Sequence, residues 1–275
     1  MSVSADTSVA CADWASFAER LDGGSVDLVY IDPPFNTGAK KTGSDRREHP
    51  KEPGASATGH PEEAPSLTLG ALSTSQSERL TYPDSWGSVE DWVAWLRERL
   101  VATLPAIKPT GSILLHIDWR TSHHARLLLD ELLGADRFVN HLIWSYGLGG
   151  SSPRRFARKH DDILFYCLDP ERYYFDPPMV DATSNRMAGQ KKKATDVFEI
   201  PSLNNMARER TGYPTQKPLA LLDVLVRACC PPGGVVLDPC CGSGTTLVAA
   251  VAAGRRAIGC DVNSDAVRIA RERLG

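Results

Sequence analysis

With 275 residues, 42% of them hydrophobic and 24% charged, the chain has the make-up of one large soluble domain or of a domain with a smaller attachment, which excludes a disordered or fibrous polypeptide. A formal net charge of −3 gives no global attraction to a polyanion and leaves only local basic patches to provide one. No apolar run approaches the roughly 18 residues of a membrane span, and MSVSADTSVACADW at the N-terminus lacks the basic start and apolar centre of a signal peptide. The expected location is therefore cytoplasmic, without a membrane partner.

The seven cysteines (Cys11, Cys167, Cys229, Cys230, Cys240, Cys241 and Cys260) form two adjacent pairs and no C-x-x-C knuckle. That spacing argues against a metal site and against a disulfide framework, and for reduced thiols packed beside strands.

In chain order, the first strong element is VDLVYI, Val26 to Ile31, an apolar run that reads as a buried strand. It halts at Asp32-Pro33-Pro34-Phe35. Asp176-Pro177-Pro178 recurs later with Met179 in fourth place and no comparable strand before it, so the tripeptide alone proves little and the second copy reads as structural. Residues 39–79 contain no aromatic residue and are dense in Gly, Ser, Pro and charge, which predicts a flexible insertion. Ser88-Val89-Glu90-Asp91 opens a helix whose Trp92, Leu96, Leu100 and Leu104 share a face. SILLHID is a strand ending in Asp118, a helix follows through Leu127 to Leu133, and FVNHLIWSY and DILFYC are two further strands. Alternating strands and helices predict an α/β sheet with helices on both faces.

The regular pattern stops between Leu168 and Arg210, a stretch that could form a small lobe of its own. Residues 147–193 carry nine Lys or Arg against six acids, with Phe156, Tyr173, Tyr174 and Phe175 interleaved. A solvated surface and a nucleic-acid contact both account for such a patch.

The most informative stretch is GGVVLDPCCGSGTTLVAAVAAGRRAIGCDVNSDAVRIARERL. Val235 to Leu237 form a strand ended by Asp238, Gly242-Ser243-Gly244 turn tightly, Thr245 to Ala253 start a small-residue helix, and Ala257 to Cys260 form a strand ended by Asp261. The turn is not the G-x-G-x-x-G dinucleotide fingerprint, because Leu247 stands where the third glycine would fall, and no Gly-Lys-Thr makes it a P-loop. A turn open to close approach of a ligand and flanked by two acids suits a cationic nucleoside without phosphate, such as S-adenosylmethionine. Asp261 would hold the ribose hydroxyls and the Asp238 turn would face the methionine end. A strand-loop-helix turn of some other α/β protein is the plainer alternative.

LDPCCGSGTT together with YIDPPFNTG resembles the amino-group DNA methyltransferases, and the order of the two motifs resembles their permuted, β-group branch. GYPTQKPLALL, Gly212 to Leu222, matches that branch's third recurring element, which holds the methionine part of the cofactor, and CADW resembles the element that places an acid, here Asp13, near the adenine. Cys240 departs from the pattern, since the family often carries phenylalanine there. The resemblance implies a circularly permuted, Rossmann-like α/β methyltransferase fold with a mostly parallel seven-stranded sheet. It divides the chain into a catalytic domain (1–38, 80–146 and 211–275), the 39–79 insertion and a target-recognition region (147–210).

It also implies a function: transfer of a methyl group from S-adenosyl-L-methionine to the exocyclic N6 of adenine in double-stranded DNA, with base flipping. The implied catalytic residues are Asp32, Pro33, Pro34 and Phe35. The implied cofactor residues are Asp13, Thr215, Gln216, Lys217, Asp238, Pro239, Cys240, Gly242, Gly244, Thr245 and Asp261. Arg154, Arg155, Arg158 and Lys159 are implied as DNA contacts. A homodimer and a partner restriction endonuclease are further implied partners. Three alternatives stay open: methylation of cytosine N4, of an RNA or protein amide, and a non-catalytic DNA-binding subunit.

Overall fold

A computed structural model describes residues 7–37, 41–42, 81–82, 84, 86–147, 152–182, 186, 189–204 and 206–275. Most of the 39–79 insertion thus lies outside the described residues. The strands are β1 (Ser8–Cys11), β2 (Val26–Ile31), β3 (Lys41–Thr42), β4 (Thr81–Tyr82), β5 (Ile107–Ile117), β6 (Phe138–Ser145), β7 (His160–Cys167), β8 (Met179–Asp181), β9 (Lys191–Lys193), β10 (Val197–Glu199), β11 (Val235–Asp238) and β12 (Arg256–Asp261). The helices are α1 (Trp14–Ala18), α2 (Val89–Thr103), α3 (Ser122–Leu133), α4 (Leu219–Cys229), α5 (Thr245–Ala252) and α6 (Ser264–Leu274).

One sheet has the order β1-β12-β11-β2-β5-β7-β6-β10. Its pairings are parallel except those of β7, which runs antiparallel to both β5 and β6. The α/β class is as expected, with eight strands described in place of seven. The extra one is β10, three residues from the irregular stretch that lie parallel to β6 and tie that stretch to the main sheet.

Alternation along the strands sends side chains to two cores, because successive residues of a strand face opposite ways. Leu28, Tyr30, Leu114 and Val236 pack with Leu221, Leu222 and Leu225 of α4 and Leu247 of α5. Val29, Ile31, Ile113, Leu115 and Leu237 pack with Phe17 of α1, Trp92 and Leu96 of α2 and Leu128 of α3. All six residues of β2 are buried, which explains its mostly apolar run; the one charged member, Asp27, accepts from Lys108 Nζ at 2.7 Å and from the Val235 amide at 2.8 Å. The Ser88 hydroxyl caps α2 by accepting from the Asp91 amide at 3.0 Å, as its sequence predicts.

Since β1, β12, β11, β2 and β5 run parallel as neighbours, their carboxyl ends share one edge. In spatial order that edge carries Asp13, Asp261, Asp238, Asp32 and Asp118, each at or within two residues of its strand's end. The reversed direction of β7 brings its start, with Asp161, to the same edge. Acids scattered over the sequence therefore become one row.

The second acid-proline-proline copy is structural. The Asp176 amide donates to the Ala228 carbonyl at 2.9 Å, the Pro178 carbonyl accepts from the Ala194 amide at 2.7 Å, and the segment leads into the β8–β9 ribbon.

Candidate active site

Two cavities open along the acidic edge and meet at Asp32, Thr215, Gln216 and Lys217, which line both. The first, of about 280 Å³, is lined by Asp13, Asp238, Pro239, Cys240, Gly242, Thr245 and Asp261 among the residues expected from sequence. The second, of about 520 Å³, lies on the side of Pro33 and Phe35. Sequence order thus hides an arrangement that the sheet makes plain: the glycine turn and the acid-proline turn follow adjacent strands, β11 and β2.

The Asp32–Phe35 turn is held from several sides. Pro34 turns its carbonyl toward the core, where it accepts from Trp92 Nε1 at 2.9 Å. Asn36 stands at φ 57°, a left-handed conformation that asparagine tolerates better than most residues. The buried Asp84 accepts from the Asn36 amide at 2.7 Å and from the Thr37 hydroxyl at 2.5 Å, while Asn36 Oδ1 accepts from the Trp86 amide at 2.9 Å. The two prolines contribute no N–H and fix φ, so the turn has few alternative conformations.

Lys217 reaches Asp32 from the GYPTQKP segment. Its ammonium lies 2.5 Å from Asp32 Oδ2 and 5.2 Å from the centre of the Phe35 ring. Thr215, two residues before it, sits at φ 59°. Gln216 braces this strained turn, accepting from Thr211 through Oε1 and donating through Nε2 to the Glu209 carbonyl at 2.7 Å.

At the glycine turn, a Cβ on Gly244 (φ +76°) would stand 2.7 Å from Ala270 Cβ, and one on Gly242 (φ +49°) would stand 3.0 Å from Tyr213 Cε1. Both positions therefore need glycine. Gly244 does not line the cavity; it allows α5 to start against α6. Asp261 Oδ2 accepts from the Gly242 amide and Oδ1 from the Asn263 amide, each at 2.9 Å. The Val262 amide also bonds to this carboxylate, and since a carboxylate has about four acceptor positions, about one remains for a ligand hydroxyl. Burial raises the Asp261 carboxyl above its ordinary range. Asp238, more deeply buried, is pushed up to about 7 by desolvation, with the charges of Asp32 and Asp261 adding to the effect and bonds from Thr246 and Cys240 opposing it. A positive ligand charge would offset this crowding of negative groups. The glycine turn, the remaining acceptor capacity of Asp261 and the surplus of carboxylates fit a cationic nucleoside.

Asp13 is placed at the cavity but is largely committed to the wall. Its Oδ1 caps α1 by accepting from Ala15 and Ser16, and its Oδ2 pairs with Arg99 at 2.8 Å. Arg99 in turn lies 4.5 Å over the Trp95 ring, which packs against Trp86 with centroids 5.1 Å apart. Trp86, Trp95 and Tyr213 thus give this cavity aromatic lining where Cys240 contributes only a small, half-buried side chain. No periodicity marks Trp86 or Trp95 as cavity residues; Tyr213 stands inside GYPTQKP, and Val262 and Asn263 directly follow Asp261, so these three carried a signal.

The larger cavity has a polar floor that the sequence did not announce beyond the strand-ending Asp118. His116 contacts the Tyr30 hydroxyl through Nδ1 at 2.6 Å and Asp161 Oδ2 through Nε2 at 3.3 Å, and the Tyr146 hydroxyl donates to Asp161 Oδ1 at 3.0 Å. Burial alone would raise the Asp161 carboxyl, but the bond from His116, the charges of His116 and Lys217 and the bond from Tyr146 bring it below its ordinary range. Asp118 is instead raised by burial, although it pairs with Arg120.

Of the four basic residues expected at DNA, Arg155 and Arg158 line a third cavity of about 260 Å³ that shares Asp118, Arg120, Tyr146 and Asp161 with the second. The Arg158 guanidinium lies 3.3 Å over the Trp119 ring. Arg154 is exposed, and Lys159 Nζ donates to the Gly147 carbonyl at 3.1 Å. Among the described residues no cluster of His, Cys, Asp or Glu is arranged to hold a metal ion, and no helix is long and apolar enough to cross a membrane.

Comparison with known proteins agrees with this geometry. The type II methyltransferase M.ScaI of Streptomyces caespitosus is 29% identical over 207 residues, which covers 68% of each chain. The DNA adenine methyltransferase YhdJ of Escherichia coli (strain K12) is 25% identical over 272 residues, covering 93% of this chain and 78% of that one. The solved M1.HpyAVI–SAM complex shares the fold with a TM-score of 0.62 at 18% identity, covering 98% of this chain and 99% of that one. The N6/N4 DNA methylase family matches residues 26–272, from the first residue of β2 to the last turn of α6. With both motif turns at one edge of one sheet and the match running through nearly all of it, the chain belongs to the N6/N4 DNA methylase family, the DNA methyltransferases that use S-adenosylmethionine.

Proposed function

We propose that this DNA methyltransferase acts on the N6 amino group of adenine, turned out of duplex DNA into the larger cavity. The observation that carries the reading is the junction of the two cavities at Asp32, where a methyl donor on one side and a base on the other can meet. The name of YhdJ, a DNA adenine methyltransferase, favours adenine, as does aspartate rather than serine at the head of the turn. When bound, S-adenosylmethionine supplies an electrophilic methyl group on a sulfonium.

An exocyclic amino group is a weak nucleophile because its lone pair is delocalised into the ring. Asp32 and the Pro33 carbonyl are assigned to accept its two N–H bonds, so that the nitrogen pyramidalises and its lone pair points across the junction. The Pro34 carbonyl is already taken by Trp92, which leaves Pro33 as the acceptor of the pair that faces the cavity. Phe35 is assigned to stack on the base, and Asp32, already bonded to the amino group, to receive the proton it loses. Asp238, Asp261, Thr215, Gln216 and the glycine turn hold the donor, with Trp86 and Trp95 offering faces to its adenine. Arg154, Arg155, Arg158 and Lys159, with residues 147–210 around them, are the target-recognition surface. A second copy of the chain and a companion endonuclease are further partners to be tested by light scattering and co-purification.

The deciding experiment is methyl transfer from labelled S-adenosylmethionine to unmethylated duplex DNA, with the product nucleosides separated by mass spectrometry. N6-methyladenine is expected. N4-methylcytosine without methyladenine would replace the base assignment.

A further inference from the structure

Residues 152–159 lead into β7 and carry Arg154, Arg155, Phe156, Ala157, Arg158 and Lys159 in succession. Phe156 is 97% exposed, the highest exposure of any large apolar side chain among the described residues. An aromatic ring so placed adds nothing to either core, and it stands among four cations. The residues around it border a cavity: Arg155 and Arg158 line the side cavity, and Arg158 is stacked on Trp119 just after β5. That cavity shares four residues with the proposed base cavity. Phe156 itself lines neither cavity; it stands in solvent between two residues that line the side cavity next to the proposed base cavity.

A base that leaves the duplex leaves a gap in the stack, and apolar side chains that enter such gaps are a recurrent means of holding DNA distorted. We propose that Phe156 enters the duplex and occupies the space the target base vacates, with Arg154, Arg155 and Arg158 on the flanking phosphates. Such phosphate contacts position the recognition surface on the duplex, and the ring lowers the cost of keeping the base outside the helix. This role rests on the reading that the chain methylates duplex DNA. It makes Phe156 a positioning residue, since the ring acts on the partner strand and the gap, not on the reacting amino group.

The test compares the wild type with Phe156→Ala and Phe156→Trp, using two duplexes that contain the methylated sequence mapped after treating genomic DNA with the enzyme. In one duplex the target base is paired; in the other it faces an abasic position, which makes extrusion easy. Phe156→Ala should lose about 10-fold or more in kcat/KM on the paired duplex and little on the abasic one, while Phe156→Trp keeps most activity on both. Because the side chain is fully exposed, thermal unfolding and cofactor binding should match the wild type. Equal activity of Phe156→Ala and wild type on the paired duplex, or an equal loss on both duplexes, would overturn the assignment. A wild-type enzyme that methylates no duplex would overturn the DNA reading together with this one.

Discussion

The Lys217 ammonium sits 2.5 Å from Asp32 Oδ2, joining residues 185 positions apart in sequence and standing where the two cavities meet. Their side chains retain only 10% and 20% exposure, so each is the other's main compensation for lost water. Lys217→Met should therefore destabilise the protein by about 2 kcal/mol, and Asp32→Asn by a similar amount. The double variant should lose clearly less than the sum, with a coupling of about 1 kcal/mol or more in urea unfolding. Strict additivity would mean that the pair does not hold in solution. In the same series, Asp32→Ala should lower methyl transfer about 100-fold or more while S-adenosylmethionine still binds in calorimetry.

Trp92 is buried in α2, and its Nε1–H anchors the Pro34 carbonyl. Trp92→Phe keeps a ring in the core but leaves that carbonyl without its partner, at a cost of about 1–3 kcal/mol. Since the anchor sets the neighbouring Pro33 carbonyl, kcat should fall about 10-fold with the KM for S-adenosylmethionine nearly unchanged. A change confined to that KM would show that the bond serves the other cavity.

Two glycines of like backbone conformation separate strain from crowding. Gly244→Ala meets Ala270 as well as an unfavourable φ of +76°, whereas Gly254→Ala, at φ +72°, has nothing within 4 Å of its new methyl. Gly254→Ala should cost about 1 kcal/mol and leave cofactor affinity alone. Gly244→Ala should cost about 2 kcal/mol or more and weaken S-adenosylmethionine binding, because α5 can no longer start against α6. Equal effects of the two in thermal melts and binding titrations would remove the packing argument.

Asp238 titrates at about 7 in the folded chain against 3.8 for an ordinary aspartate. Between those values the folded state keeps a proton that the unfolded chain has released. Its contribution to stability is thus fully present below about 3.8, falls as pH rises, and is gone above about 7. Asp238→Asn removes this dependence. The difference in Tm between variant and wild type should grow in the variant's favour from about pH 5 to pH 8, and parallel curves would assign the slope to other groups.

What could be read in the sequence was what is local. The apolar run of β2, the cap of α2 and the β11–α5–β12 unit each depend on neighbours in the chain, and each was placed within a few residues. Lys217 was recognisable as part of a motif, but its position against Asp32 was not, because that contact depends on how α4 packs and on which strand lies beside β11. The Asp161–His116–Tyr146 floor left still less trace: it exists only because β7 runs against its neighbours and carries its first residues to the acidic edge. The aromatic wall of Trp86 and Trp95 arises from two side chains outside any motif that α2 and the segment before it bring together. The irregular stretch had no period to betray that three of its residues, β10, extend the main sheet.

The fastening of the Asp32–Phe35 turn has an engineering consequence. Lys41–Thr42 pairs with Thr81–Tyr82, and Asp84 and Trp86 then grip Asn36 and Thr37. The β3–β4 pairing is thus a clasp that closes before the turn is reached. The clasp is a natural socket: a reporter domain or a targeting peptide spliced between β3 and β4 would enter and leave through this pairing, with its load borne by Asp84, not by Asp32.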